Sequence, residues 1–149
     1  MGWFSLLTAE TAHVLQVTAP RRVEQLLQQQ IDSHCESVSE MLSAVTAHAA
    51  KTILVTNSQA GWVELSGNSY APQLLESLRV ANIDVVSSQA LFAEESDCPF
   101  EWKSRCFAEL ASEFAAQHPA QPLQIVSIGD GEFERAAAES CLIELSEIG

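Results

Sequence analysis

The stretch "QIVSIGDGEFERA", Gln124 to Ala136, decides the fold. Ile125, Val126, Ser127 and Ile128 form a mostly apolar run that reads as a buried strand. The run passes straight into Gly129-Asp130-Gly131, and two more carboxylates follow at Glu132 and Glu134. A carboxylate buried without a partner costs several kcal/mol or titrates to neutral. Asp130 at the end of such a strand is therefore expected to face a site and not the core. Ligands in open parallel α/β sheets sit beyond the carboxyl ends of the strands.

Working outward, two further runs read as strands. Thr52 to Thr56, "TILVT", is short and β-branched, as buried parallel strands are, and Ile83-Asp84-Val85-Val86 is a second. Leu123 to Ile128 becomes the third, and Cys141 to Leu145 a possible fourth. Helical patterns alternate with them. Thr18-Ala-Pro20 resembles a helix start. Val23, Leu26, Leu27, Ile31, Val38, Met41, Leu42 and Val45 then recur at helical spacing, so residues 20–49 read as one long helix or two broken near Asp32–His34. Pro72 to Val80, residues 101–116 and Glu132 to Glu139 are further helices, with 57–71 and 88–100 as short loops. Strands alternating with helices predict a Rossmann-like α/β domain, with a mostly parallel sheet flanked by helices. The expected organisation is one domain over residues 1–149, a helical lead-in over 1–50 and an α/β core over 51–149.

The chain has 149 residues, 47% of them hydrophobic, and a formal net charge of -13 from seven Lys and Arg against twenty Asp and Glu. That balance argues against a nucleic-acid backbone as partner, which requires a basic footprint. No apolar run is long enough for a membrane span, and Met1 to Glu10 lacks the basic region and cleavage site of a signal peptide. Cys35, Cys98, Cys106 and Cys141 form no C-x-x-C pair, which suits reduced thiols and a cytoplasmic setting.

Strand ends at Thr56, Ser87-Ser88 and Gly129-Asp130, with the helix over residues 101–116, supply the candidate residues. Asp130 and Glu134, four apart where a strand turns into a helix, suit an oxygen-liganded Mg²⁺. Equally, Glu132 and Glu134 favour a helix N-terminus that Asp130 caps. The Thr56 hydroxyl is placed to bond a phosphate oxygen, or is simply a β-branched strand residue. Lys103, in "EWKSRCF", is placed to neutralise substrate charge, or is an exposed lysine on a helix. Trp62 and Trp102 read as ligand stackers or as core. His13, His34, His48 and His118 form no pattern. The acidic surroundings of Cys98 dull it as a nucleophile.

In order, a strand ending in Thr (Ile53 to Thr56), a later Lys (Lys103) and Gly129-Asp130 leading to Glu134 resemble motifs two, three and four of the haloacid dehalogenase-like hydrolases. The strings "VTNSQAGWVELS", "WK" and "SIGDGEFERA" are closer still to an uncharacterised eukaryotic group of that superfamily, over about residues 38–140. The resemblance implies that Thr56 binds a phosphoryl group, that Lys103 holds its charge, and that Asp130 and Glu134 hold Mg²⁺. Family enzymes begin with a strand ending in Asp-x-Asp, whose first Asp is the nucleophile. No Asp-x-Asp occurs here, and the first Asp, Asp32, lies in the helical segment. In the family that strand lies centrally, between those ending in Thr56 and Asp130, so the expectation is a chain that begins just past it. Two functions from different classes follow. One is a phosphohydrolase-related domain with a small phosphorylated ligand and no turnover. The other is a non-catalytic binding or scaffold domain that dimerises through residues 20–49. A dinucleotide or P-loop module ranks below both, since neither glycine signature is present.

Overall fold

The computed structural model describes residues 21–129 and 131–148. Eight elements follow in chain order: α1 (Arg21–Thr46), β1 (Ile53–Thr56), α2 (Trp62–Tyr70), α3 (Pro72–Val80), β2 (Asp84–Ser87), α4 (Ser88–Phe92), α5 (Pro99–Gln117) and α6 (Glu132–Ile148). The protein is mixed α/β and mostly helical, with a two-stranded parallel sheet of β1 and β2. Side chains mark the parallel sense. Lys51, just before β1, pairs with Asp84 at the start of β2, while Ser88 Oγ donates to the Thr56 carbonyl at the far ends.

The described residues divide into two units, 21–54 with 61–85 and 55–60 with 86–148, and the division passes through both strands. In the first unit α1 runs unbroken for 26 residues, about 39 Å at 1.5 Å per residue. Leu27, Ile31, Cys35, Val38, Leu42 and Val45 are the half-buried and buried positions of one stripe. That stripe packs with α3, where Ser39 Oγ and Ser77 Oγ lie 3.0 Å apart and Gln73 Nε2 donates to Asp32 Oδ1 at 3.3 Å. Pro72 opens α3 at its first turn, where the missing N–H would go unused anyway. The helix closes on Asn82, in the left-handed region at φ 52. Ile83 N donates to Leu78 O and Asn82 N to Arg79 O, the paired bonds of a Schellman turn. Leu78 and Ile83, the apolar pair that accompanies such a turn, are both buried, and β2 leaves from there.

In the second unit Phe92, Trp102 and Cys106 form the core, with Val55, Val86 and Leu110 against them. Trp102 is therefore a packing residue, its indole N–H donating to Ser96 O at 2.5 Å. The α5–α6 pair is the most extensive helix contact, and the buried residues of those helices past their first turns include Cys106, Ala111, Ala137 and Cys141. All four are small enough for the backbones to approach closely.

Four expectations are corrected. Leu123 to Ile128 forms no strand: residues 122–129 have no regular structure and hydrogen-bond to no described neighbour. Cys141 to Leu145 lies inside α6, because the helix formers Ala136 to Ala138 lead into it with no breaker. Residues 57–71 are not simply a loop, since α2 occupies Trp62–Tyr70, and α4 likewise occupies part of 88–100. The flanked, several-stranded sheet thus reduces to two strands among the described residues.

Close packing of α2 on α3 rests on Gly67, which is buried. A Cβ there would lie 2.5 Å from Leu75 Cγ. Glycine to alanine in a helix ordinarily gains about 1 kcal/mol, but overpacking costs roughly 1–3 kcal/mol. Gly67→Ala is expected to lower the urea midpoint. In a Leu75→Ala background, which empties the contested space, the same change is expected to raise it.

Candidate functional site

The site residues lie in the second unit, at the ends of β1 and β2 and at the N-terminal ends of α5 and α6. Thr56 closes β1 and is half-buried. Its Oγ1 accepts the Ser58 N–H at 3.1 Å, and its own hydroxyl proton has no acceptor among the described residues. Thr56 therefore retains one donor for a ligand.

The turn after Thr56 is held on two sides. Asn57 Nδ2 donates to the Pro99 carbonyl at 3.0 Å, in the first turn of α5. Ser88 is fully buried, and its Oγ lies 3.0 Å from Thr56 O and 2.5 Å from Asn57 Oδ1. Ser87 Oγ donates to Ser58 O at 2.6 Å and accepts the Ala90 N–H at 3.0 Å, which caps α4. Two adjacent serines thus fix the shape of the 56–58 turn.

Lys103 stands one turn into α5, four residues beyond Pro99. It is 7% exposed, which removes its reading as a solvated surface lysine. Its Nζ lies 2.5 Å from Glu134 Oε1. Burial of an ammonium requires such a partner. The Lys103 hydrogen bond holds the Glu134 carboxyl below the usual carboxylate range, with help from the N–H groups of Glu134 itself and Gly131. Gly129 makes room for this arrangement. A Cβ there would lie 2.4 Å from Glu134 Cγ and 2.7 Å from Glu134 Cβ, the stem of the side chain and not its mobile end.

Of the four residues expected at the site, Lys103 and Glu134 meet directly. Thr56 reaches the same helix through Asn57 and Pro99. Asp130 lies outside the described residues. The described carboxylate does not by itself fit Mg²⁺, because Glu134 is already engaged by an ammonium, and no group of three His, Cys, Asp or Glu able to hold a metal occurs among the described residues. Reading along the sequence missed Asn57, Ser88 and Gly129 as holding residues. The signal for Gly129 was the Gly-Asp-Gly turn itself.

Removing one member of the pair leaves the other charge stranded, a loss of roughly 3 kcal/mol or more, whereas replacing both with apolar groups is close to neutral. Lys103→Met and Glu134→Gln are each expected to destabilise strongly, and Lys103→Met/Glu134→Leu to recover most of the loss in urea unfolding. The depressed Glu134 pKa fixes the pH sign. Its contribution is complete above about pH 4.5, the carboxyl's ordinary value, and is lost as pH falls through the lower folded value. The stability gap between wild type and Glu134→Gln is therefore expected to narrow in acid.

No family model matches the chain, and no curated protein or solved structure shows significant similarity to it.

Proposed function

We propose that the chain is a haloacid dehalogenase-like, phosphohydrolase-related domain that binds a small phosphorylated ligand without turning it over. The observation that carries this reading is the meeting of Lys103 and Glu134, 31 residues apart, in a mostly buried ion pair, beside a helix start that Asn57 ties to the Thr56 turn. Thr56 offers a hydroxyl donor to a phosphoryl oxygen. Lys103 offers a desolvated positive charge, for which the anion competes with Glu134. Mg²⁺ enters only as a weak ligand of Asp130 and Glu134, contending with Lys103 for the same carboxylate. No Asp-x-Asp is present to take a phosphoryl group covalently. A Rossmann-like, haloacid dehalogenase-like ancestry for this two-stranded α/β fold belongs to the same proposal.

A second reading is a scaffold domain that dimerises through its N-terminal helix. The observation in its favour is that Val23, Leu26 and Met41 are 41%, 54% and 41% exposed along α1.

The purified chain is expected to release no phenol from an aryl phosphate with Mg²⁺. Turnover abolished by Asp130→Asn would contradict this. Binding of the same ester, followed by ³¹P line broadening, is expected to weaken roughly five- to tenfold in Thr56→Val, the value of one hydrogen bond. Unchanged binding would favour the scaffold reading.

A further inference from the structure

Residues 123–128 form the one apolar run read as a strand that ends in irregular structure. No described residue hydrogen-bonds to their backbone. Leu123 and Ile125 are half-buried, whereas Val126 and Ile128 are 76% and 61% exposed. An uncapped row of backbone donors and acceptors bearing apolar side chains is a template for pairing with another strand.

We propose that this segment pairs antiparallel with the same segment of a second copy of the chain. Charge allows self-association at this segment, and the segment's own register favours it. The chain carries a net -13, yet Gln121 to Gly129 is an uninterrupted uncharged stretch. Two acidic molecules approach there without setting acid against acid, which is destabilising in directly opposed strands. Two-fold symmetry requires opposed residues to share a face, so the pairing centres on a residue. Centring on Ser127 sets Val126 of each copy against Ile128 of the other, and each Ile125 against the other's Gly129. The two exposed apolar residues thereby become cross-strand neighbours at about 4.5–5.5 Å between Cβ atoms. The area is small. A strand pair of this length falls below the ~1,200 Å² of a standard stable interface, so the dimer is weak and concentration-dependent.

Sedimentation velocity on the full chain in reducing buffer, over a hundredfold concentration range, tests the proposal. The expected result is a weight-average mass rising from monomer toward dimer. Val126→Lys/Ile128→Lys, which alters only exposed side chains, is expected to hold the mass at monomer with an unchanged far-ultraviolet spectrum. Ser127→Cys, made in a Cys98→Ser background to remove the exposed native thiol, is expected to form an intermolecular disulfide on mild oxidation. Monomer throughout overturns the proposal. So does a dimer that survives the lysines, which would point to α1, or a cysteine variant that stays uncrosslinked.

Discussion

Lys103 and Glu134 place opposite charges in contact where water has been largely excluded, and much of the second unit is arranged to permit it. Desolvating both groups is expensive, and only tight geometry offsets the cost. That geometry needs α5 and α6 close together. Small buried residues on the two helices, Cys106 and Ala111 with Ala137 and Cys141, allow the approach. It also needs Glu134 to lie flat across residue 129, which no side chain larger than hydrogen permits. The ion pair therefore settles where the start of α6 sits against α5, and with it the place of any anion attracted to Lys103.

Neutral polar contacts do the corresponding work at the end of β1. Asn57 donates its amide N–H to Pro99, its oxygen and the Thr56 carbonyl share the single Ser88 hydroxyl proton, and Ser87 closes the turn on Ser58. None of these groups is charged, and each is satisfied by a neighbour on a different element. Buried polar networks hold a unique conformation when every member is paired. The Thr56 hydroxyl is oriented by such a network while keeping a donor unspent. The two candidate groups thus differ in kind: an oriented hydroxyl at the end of β1, and on α5 an ammonium already neutralised by a carboxylate.

Much of the helical framework was legible in the sequence. Pro72 with Leu74, Leu75 and Leu78 marks α3 at its observed bounds, and β-branched runs mark β1 and β2 within a residue. The errors share a cause. A run such as Leu123 to Ile128 reports composition, but a strand exists only where a neighbour supplies the other half of the ladder. Cys141 to Leu145 is too short for periodicity to separate helix from strand, and the alanines ahead of it settled the matter. Trp62–Tyr70 was hidden by its own Ser, Gly and Asn, poor helix formers. At the site, Lys103 and Glu134 stood out as charges that require an explanation. Asn57, Ser88 and Gly129 did not, because their role is to hold other residues in place.

The direct test of the central claim is a ¹³C titration of the Glu134 side-chain carboxyl in the folded protein. Contact with Lys103 predicts a midpoint below 4.5 that rises in Lys103→Met. A midpoint at or above 4.5 in the unmodified chain would show that the two charges do not meet, and the site built on them would be withdrawn.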